Sequence, residues 1–316
     1  MSDDLDSLFT EDWPEDHRSG VITVAGRPNV GKSTLINRIL GQKIAIVSPK
    51  PQTTRRRQLG ILTDAHSQIL FVDTPGLHAP QHKLGEYMVQ VAEQAFKDTD
   101  VILIILDVSK PPETGDQRLA ETVERLRGRT PVILALNKVD LLSDEQRDTH
   151  IDAHKALIPH EGAHLISAMN GDGVAALLAD LRERMPLGPR YYPPEDLTEM
   201  NMRFVASEVI REKVMLNTDK EIPYAVAVEI DSFRENEDNV FISATLHVER
   251  DSQKGIVIGK GGAMIKKIGT EARRELVEML ETVVHLDLNV KVLKNWRKNE
   301  RLMQRLGYRQ VKEDKR

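Results

Sequence analysis

The chain has 316 residues, of which 40% are hydrophobic and 29% charged, as is ordinary for a globular protein of about two domains. It contains no cysteine, which excludes disulfides and thiolate chemistry, and no stretch has the apolar length of a membrane-spanning helix. The N-terminus has neither a basic start nor an apolar run, which argues against a secretory signal, so the sequence predicts a cytoplasmic protein.

The net charge of −5 is unevenly distributed along the chain. Residues 1–20 contain seven acidic residues and one arginine, whereas residues 291–316 contain ten Lys or Arg and three acidic residues. Positive charge concentrated at one end indicates an anionic partner there, although a solvated tail without a partner fits the charge equally well.

Between residues 19 and 184, short apolar runs alternate with amphipathic helical stretches. The runs are VITVAG, ILFVDTPG, VILIILDV, PVILALNK and a weaker HLISA. Continuous apolar runs suit strands that are covered on both faces, and their alternation with helices indicates a parallel sheet. We therefore predict a doubly wound α/β domain over residues 19–184, preceded by an acidic extension over residues 1–18 to which we assign no function.

Residues 185–198 contain four prolines, which predicts a linker. After it the order of elements changes to a helix, two alternating strands, a helical stretch, a long helix ending near Leu280 and a last strand. This order predicts a smaller α+β domain with a three-stranded sheet over residues 199–316, and the basic C-terminal segment is expected to form one more helix.

The segment GRPNVGKS, residues 26–33, fits the phosphate-binding pattern G-x-x-x-x-G-K-[ST] between a strand and a helix. Its glycines let backbone N–H groups turn toward phosphate oxygens at a helix N-terminus. Lys32 is expected to reach the β- and γ-phosphates and the Ser33 hydroxyl to bind Mg²⁺. The nucleotide-binding residues predicted here are Gly26, Arg27, Pro28, Asn29, Val30, Gly31, Lys32, Ser33 and Thr34.

Two further motifs identify the nucleotide as GTP or GDP. The segment DTPG, residues 73–76, follows a strand and is expected to bring Asp73 near the metal and the Gly76 amide near the γ-phosphate. The segment NKVD, residues 137–140, follows another strand, and its carboxylate can accept hydrogen bonds from both donors on the guanine edge, which adenine lacks. The predicted contacts are Asp73, Thr74, Pro75, Gly76, Asn137, Lys138 and Asp140, with Ser167 and Ala168 backing the guanine through a main-chain amide.

Hydrolysis of GTP requires positioning and charge neutralisation more than covalent chemistry. The polar loop between Ser48 and Gly60 can bring a threonine to Mg²⁺ when the γ-phosphate is present, and we choose Thr54 because it directly precedes three arginines. The metal ligands predicted are therefore Ser33, Thr54 and Asp73. Leu77 follows DTPG, and an apolar side chain cannot orient water, so another element must complete the site.

A second glycine-rich loop, GKGG at residues 259–262, fits the G-x-x-G pattern of a KH domain, which clamps the backbone of about four nucleotides. The pattern alone is weak evidence, but a basic amphipathic helix follows it, and predicted strands lie before and after the two helices that the loop joins. We predict that Gly259, Lys260, Gly261, Gly262, Lys266 and Lys267 bind single-stranded RNA. A capped helix with solvated lysines is the alternative. The three arginines at residues 55–57 are candidates for binding RNA or phosphate, but a solvated switch loop is the preferred interpretation.

The combination of GRPNVGKSTLINRILGQKIAIVS, PQTTR, DTPG, NKVD, FVASEVIREKV, VIGKGGAMIKKIG and a late LGY resembles the bacterial Era GTPases from about residue 19 to 310. This resemblance implies a P-loop GTPase domain followed by a type II KH domain. It also implies binding of 16S ribosomal RNA near its 3′ end, a role in assembly of the 30S subunit, and peripheral association with the inner membrane as a further location. We expect a monomer.

Residues assigned to catalysis are Lys32, Thr54 and Asn29. Asn29 lies where potassium-dependent bacterial GTPases, which this loop also resembles, have an asparagine that helps hold K⁺, and a tolerated loop residue is the alternative. The leading hypothesis is a GTP-hydrolysing switch that controls RNA binding. The competing hypotheses are an RNA-binding assembly factor with GTP as a structural ligand, and a regulator that binds membranes through its basic C-terminus. The histidine pairs 150/154 and 160/164 are predicted to be structural.

Overall fold

A computed structural model describes residues 13–48, 50, 53–75, 82–198 and 201–308. The predicted contacts Gly76 and Leu77, together with most of the acidic extension, lie outside these residues. Within the described ranges, none of the helices has both the length and the apolar character needed to cross a bilayer.

The first half of the chain forms a six-stranded sheet with helices on both faces. Its strands are β1 (Arg18–Ala25), β2 (Gln58–Thr63), β3 (Ser67–Asp73), β4 (Val101–Asp107), β5 (Val132–Asn137) and β6 (Gly162–Ile166). Its helices are α1 (Lys32–Leu40), α2 (Lys83–Ala95), α3 (Thr114–Leu126), α4 (Arg147–Lys155) and α5 (Val174–Arg184). Every side chain of β3, β4 and β5 is buried, as expected for strands that are covered on both faces.

The strand order is β2-β3-β1-β4-β5-β6, and β1 is parallel to both β3 and β4. The predicted parallel sheet is confirmed for the other five strands, and at one edge the unpredicted β2 pairs antiparallel with β3. β2 was missed because its sequence, QLGILT, begins inside the polar loop and has only three large apolar residues. The parallel core brings the C-terminal ends of β1, β3, β4 and β5 to one edge, where ligands bind in folds of this kind.

The second half forms a smaller unit around a three-stranded sheet. Its strands are β7 (Ala227–Glu235), β8 (Asn239–Val248) and β9 (Val283–Val292), with β8 in the centre, antiparallel to β7 and parallel to β9. Its helices are α6 (Met202–Asn217), α7 (Ile222–Ala225), α8 (Asp251–Ile258), α9 (Ala263–Leu280) and α10 (Glu300–Arg305). The long helices pack on one face of this sheet and form a separate hydrophobic core with it.

The basic C-terminal segment does not form the single helix that its sequence predicts. Asn295 takes a left-handed conformation (φ 57°), and a short 3₁₀ turn from Trp296 to Lys298 follows it. The side chain of Asn299 then accepts a hydrogen bond from the Leu302 amide and caps α10. Two asparagines therefore divide the segment, because asparagine tolerates the left-handed conformation and also makes a good N-cap.

An aromatic cluster joins the two halves. Tyr308 packs edge-on against Tyr87 of α2, with ring centroids 5.8 Å apart, and stacks on Trp296 at 5.7 Å. Leu84, Met88 and Val91 from α2 complete this cluster together with Met303 and Leu306. The last residues that the structure describes, up to Tyr308, are therefore packed directly against a helix of the first domain.

Candidate nucleotide site and nucleic-acid interface

The phosphate loop connects β1 to α1 in the conformation that its glycines predict. Gly31 has φ 106°, and a Cβ atom there would lie 2.3 Å from Nδ2 of Asn137, so a side chain is excluded twice over. The Lys32 ammonium is buried and donates hydrogen bonds to the carbonyls of Gly26 (2.8 Å) and Arg27 (2.9 Å). Burial lowers the pKa of Lys32, although Asp73 opposes that effect.

The three predicted metal ligands lie together at the end of β3. Asp73 Oδ2 accepts hydrogen bonds from the hydroxyls of Thr54 (2.8 Å) and Ser33 (3.4 Å). Asp73 Oδ1 is buried and has no hydrogen-bond partner among the described residues. Burial raises the pKa of the Asp73 carboxyl, although Lys32, Thr54 and Ser33 oppose that effect. An unpaired buried carboxylate oxygen beside two hydroxyls fits Mg²⁺, which prefers oxygen ligands.

Other predicted phosphate contacts occupy structural positions around the same loop. The Thr74 hydroxyl donates to the carbonyl of Val24 at 2.9 Å, which fixes the turn after β3. Asn29 has a left-handed backbone (φ 64°) and is exposed. Thr34 is half-buried in the first turn of α1, and Pro75 ends the described part of its motif.

Arg27 points away from the loop, toward the first turn of α3. Its guanidinium pairs with Asp116 at 2.7 Å and with Glu113 at 2.8 Å. Burial alone would lower the pKa of Arg27, but these two carboxylates outweigh burial and raise it. Arg27 therefore supports the loop through its backbone, and its side chain anchors the loop to α3.

The guanine motif is assembled from three separate loops. The Asn137 side chain donates to the Val30 carbonyl at 2.7 Å and accepts from the Ala168 amide at 2.8 Å. Asn137 therefore ties the phosphate loop to the Ser167–Ala168 turn, and the Ala168 amide that was expected to back the guanine is used by Asn137. Asp140 is exposed in the 3₁₀ turn after Lys138, so its carboxylate is free to meet a base.

Sequence reasoning missed two residues of this region. Asp107 ends β4 and accepts a hydrogen bond from the Lys138 ammonium at 2.6 Å. Burial alone would raise the pKa of Asp107, but the hydrogen bonds from Lys138 and Ser109 outweigh it and lower that pKa. Asp107 could have been predicted from the sequence, because it follows a buried apolar run at the C-terminal end of a strand, as Asp73 does. Arg38, which donates to the Ala168 carbonyl at 2.6 Å, had no sequence signal.

The arginines after Thr54 are not a solvated loop, so that interpretation is wrong for two of the three. The switch segment, which we define as residues 53–57, runs against the second domain. The Arg55 guanidinium is 2% exposed and donates to the carbonyls of Val226 (2.7 Å) and Pro223 (2.9 Å) at the end of α7. Arg56 lies over the ring of Tyr308, 4.7 Å from its centroid, and only Arg57 is exposed.

The second domain returns a contact to the same segment. Arg211 of α6 is 1% exposed, and its guanidinium donates to the Thr53 carbonyl while pairing with Glu208 at 2.6 Å. Burial alone would lower the pKa of Arg211, but Glu208 outweighs it and raises that pKa. Thr54 therefore lies between two residues that are each held by a buried guanidinium at the domain boundary.

Lys43, just after α1, forms a second bridge between the domains. Its ammonium pairs with Glu212 of α6 at 2.5 Å and with Glu275 of α9 at 2.7 Å. Burial alone would raise the pKa of Glu275, but its lysine partners outweigh it and lower that pKa. The loop after the phosphate-binding helix is thus attached to the helix that begins at the second glycine-rich loop.

The second glycine-rich loop joins α8 to α9 through a short 3₁₀ turn. Gly259, Gly261 and Gly262 have φ values of 74°, 60° and 80°, which L side chains rarely adopt. At Gly259 a Cβ atom would also lie 2.7 Å from the backbone nitrogen of Met264. Lys260 and, one turn into α9, Lys266 are exposed, while the exposed Lys267 pairs weakly with Glu271 at 3.9 Å.

A groove of about 280 Å³ lies between α9, which begins at this loop, and the edge strand β9. Ile265, Leu286 and Leu288 form its apolar floor, and Lys266 and Arg273 form its rim. α9 and β9 lie close together at Gly269, where a Cβ atom would be in van der Waals contact with Leu288 at 3.4 Å. An apolar floor with a basic rim suits bases that lie flat and phosphates that lie outside.

Family models match both halves of the chain. Residues 21–138 match the model described as 50S ribosome-binding GTPase, and residues 221–297 match the KH domain model. The first range contains the phosphate loop and the predicted metal ligands, and the second contains the Gly259–Gly262 loop and its groove.

Curated relatives cover almost the whole chain. The chain is 49% identical over 294 residues to the GTPase Era of Geobacter metallireducens, a match that covers 92% of this chain and 98% of that protein. It is 44% identical over 294 residues to the GTPase Era of Ruminiclostridium cellulolyticum, with 93% and 98% covered.

Two solved structures share the arrangement of both domains. A variant of Aquifex aeolicus Era bound to GDP·AlF4− has a TM-score of 0.85 at 34% identity, with 92% of this chain and 99% of that chain covered. Era in complex with MgGDPNP and nucleotides 1506–1542 of 16S ribosomal RNA also has a TM-score of 0.85, at 33% identity, with 93% and 99% covered.

Proposed function

This chain belongs to the Era family of GTPases, and on that premise we propose that it is a GTP-hydrolysing switch whose nucleotide state controls capture of single-stranded 16S ribosomal RNA. The RNA segment proposed is the 3′ end region, which a 33% identical Era binds as nucleotides 1506–1542. The groove beside Gly259–Gly262 is the proposed RNA site, and the proposed setting is maturation of the 30S ribosomal subunit in the cytoplasm, with the chain acting as a monomer.

The observation that carries the proposal is the position of Thr54. Its hydroxyl contacts Asp73 in the nucleotide site, while Thr53 before it and Arg55 after it are held by the RNA-binding half of the chain. A shift of Thr54 toward a metal ion beside the γ-phosphate would displace at least one of these neighbours. Binding of GTP and the orientation of the second domain are therefore coupled through three consecutive residues.

The energetic consequence supports a switch of useful size. The guanidiniums of Arg55 and Arg211 donate hydrogen bonds to carbonyls across the domain boundary, and hydrogen bonds that involve a charged group typically contribute about 1.5–3 kcal/mol each. Coupling between ligand sites in proteins is commonly about 1–3 kcal/mol, so displacement of one such contact is sufficient. The contacts of Arg55 and Arg211 thus have the strength that nucleotide-dependent RNA binding requires.

The residues of the first domain have distinct roles in the proposed reaction. The loop amides and Lys32 neutralise phosphate charge, and Ser33, Asp73 and Thr54 hold the metal, which supplies further charge stabilisation when bound. Asp140 selects guanine, while Asn137, Asp107 and Arg38 fix the loops around it. Lys138 contributes through its ion pair with Asp107 at 2.6 Å.

Asn29 is the proposed link to potassium. It lies within the phosphate loop, with a left-handed backbone and an exposed position. An amide oxygen there is a suitable ligand for a monovalent cation, which would supply the positive charge that an arginine finger provides in other GTPases. This role predicts that the unmodified chain hydrolyses GTP faster in K⁺ than in Na⁺. In Asn29→Ala, replacing K⁺ by Na⁺ should leave the rate of hydrolysis unchanged.

Pairing within the C-terminal segment favours RNA over a membrane as the partner of the second domain. Arg297 pairs with Glu249 and Arg305 with Glu229, so part of the positive charge of the segment is already neutralised inside the fold. Peripheral association with anionic lipid remains the secondary proposal. Flotation with anionic vesicles tests it by comparing the full chain with a chain ending at Leu293.

Affinity for the RNA of nucleotides 1506–1542, measured by anisotropy, tests the main proposal. RNA affinity is compared for the chain bound to GDP, bound to a non-hydrolysable GTP analogue, and without nucleotide. The proposal requires that affinity differ by about fivefold or more between the two nucleotides, the lower end of usual allosteric coupling. Equal affinity in all three states, together with hydrolysis that RNA and K⁺ leave unchanged, would instead indicate an RNA-binding factor that uses GTP as a structural ligand.

A further inference from the structure

The outer face of the three-stranded sheet carries an exposed aromatic pair. The rings of Phe241 on β8 and His285 on β9 stack with centroids 4.5 Å apart and an interplanar angle of 13°. Phe241 is 44% exposed, and Val283 beside the pair is 54% exposed. Large apolar side chains on an antiparallel or mixed sheet normally face the core, so an exposed stacked pair is a candidate contact surface.

The two ends of this outer face differ in how far they are covered. Toward the C-terminal segment, Glu229 of β7 pairs with His247 at 2.7 Å and with Arg305 of α10, and Thr245 hydrogen-bonds Asp231. At the other end, the aromatic pair borders a depression of about 540 Å³, a volume within the range of small-ligand sites. This open end is therefore large enough for a nucleobase.

The depression is continuous with the groove beside the Gly259–Gly262 loop. Arg273 and Leu286 line both, because the Arg273 side chain of α9 reaches the free edge of β9 where the groove ends. An RNA strand that leaves the groove can therefore pass Arg273, cross the edge strand β9 and reach Phe241 on β8. Arg234, which is in register with Phe241 on β7, adds a second cation at this end, and Asp287 of β9 is the acidic group that lines the depression.

We infer that the Phe241–His285 pair is a stacking site for one further unpaired base of the bound RNA, next to the nucleotides held in the groove. The inference rests on the proposed RNA-binding function and extends it to a second surface. The base lies on the aromatic face with its polar edge toward Asp287, and Arg273 contacts the adjoining phosphate. Aromatic stacking of this kind accepts any base and adds affinity without sequence selection.

The test combines base removal with side-chain truncation. Abasic sites are introduced one at a time along the single-stranded part of the 1506–1542 RNA, and affinity is measured for the unmodified chain and for Phe241→Ala. We expect one abasic position to weaken binding to the unmodified chain by about tenfold and to have no effect on Phe241→Ala. Phe241→Trp should retain the abasic effect, because tryptophan offers a stacking face.

Leu216→Ala is the matched control, since Leu216 of α6 is also 44% exposed and lies in the same domain. It should bind every RNA as the unmodified chain does. The inference is overturned if no abasic position depends on residue 241, and a Phe241→Ala chain that binds RNA normally but binds 30S subunits weakly would assign the face to a protein. If the unmodified chain does not bind the RNA, the proposed function itself fails.

Discussion

Asp73 is a carboxylate whose surroundings are incomplete without a cation. It is 1% exposed, one of its oxygens has no hydrogen-bond partner among the described residues, and the other accepts from Thr54 and Ser33. A buried carboxylate oxygen without a partner is unfavourable, so the site is organised for a hard cation and not for stability of the free protein. We expect Thr54 to be the ligand that differs between nucleotide states, because it belongs to the switch segment.

Replacing Thr54 by alanine should therefore weaken magnesium binding selectively in the GTP state. Loss of one hydroxyl ligand should raise the Mg²⁺ concentration required for binding of a GTP analogue by about tenfold. Mutating groups that only hydrogen-bond to metal ligands already weakens metal binding by about that much. Binding of GDP should be nearly unchanged. Magnesium titrations with a fluorescent nucleotide measure this. Ser33→Ala should affect both nucleotides.

Thr53→Ala is the matched control for Thr54→Ala. The contact of Thr53 with Arg211 uses its backbone carbonyl, which the substitution keeps. If Thr53→Ala and Thr54→Ala reduce magnesium-dependent binding equally, the assignment of Thr54 is incorrect.

Asp140 should determine the choice of base. In Asp140→Asn the amide offers donors where guanine also has donors, so GTP affinity should fall by about a hundredfold or more, as two charge-assisted hydrogen bonds are typically worth about 1.5–3 kcal/mol each. Affinity for xanthosine triphosphate should rise, since xanthine has a carbonyl in place of the amino group. Competition against labelled GTP measures both effects.

Asp144→Asn, a neutralisation of another exposed carboxylate four residues later, is the control and should change neither affinity. Undiminished binding of GTP by Asp140→Asn would contradict the guanine assignment.

At the scale of elements, the sequence predicts best where one local pattern determines the structure. Continuous apolar runs, ILFV, VILIIL and VILAL, form most of β3, β4 and β5, and these strands end in Asp73, Asp107 and Asn137. Both the strands and the edge where ligands bind could therefore be predicted. β2 could not, because a short edge strand that follows a polar loop has no distinguishing pattern. The C-terminal helix was overestimated, because the conformation of Asn295 depends on where Trp296 is buried.

The glycine loop before α9 should be necessary for RNA capture and irrelevant to GTP. In the double variant Lys260→Asp with Gly261→Asp, two carboxylates would face the RNA backbone, and residue 261 would keep a left-handed conformation that costs a non-glycine residue about 1 kcal/mol. RNA affinity should fall below detection while GTP affinity is unchanged.

Lys155→Asp, an exposed reversal of charge on α4 of the other domain, controls for the reversal of charge at Lys260, which is the larger part of the change in net charge. Salt titrations of Lys266→Ala should also show a smaller slope, by about 0.7 for each phosphate of a single strand that the lysine would otherwise neutralise. Loss of both GTP and RNA binding in the double variant would mean that the loop is a structural turn.

At the scale of the whole molecule, the boundary between the domains was the part least accessible from sequence. Arg55 and the carbonyl of Val226 are 171 residues apart, and Arg211 and the carbonyl of Thr53 are 158 apart. Nothing in a run of three arginines distinguishes a buried side chain from a solvated one, because the difference lies in carbonyl groups of another domain. The loop could be predicted as a switch, but the surface that it contacts could not.

Arg211→Ala should remove the coupling between nucleotide binding and RNA binding without abolishing either kind of binding. The Thr53 carbonyl would no longer be held by α6, so a movement of Thr54 would not be transmitted through that residue. The ratio of RNA affinities in the GDP and GTP-analogue states should fall toward one, while affinity for guanine nucleotides changes less than about threefold. Anisotropy with the 1506–1542 RNA measures the ratio, and fluorescent nucleotides measure the second quantity.

Removing a buried arginine can also destabilise the domain, so two comparisons are required. Arg203→Ala removes an arginine from the same helix whose hydrogen bond goes to the Ile230 carbonyl within the second domain, and it should retain the full nucleotide dependence. Arg55→Ala breaks the reciprocal contact from the other side of the boundary and should reproduce the loss. If both Arg211→Ala and Arg55→Ala melt as the unmodified chain does and still bind RNA in a nucleotide-dependent way, the switch segment does not carry the coupling, and the Lys43 bridge to Glu212 and Glu275 becomes the connection to test.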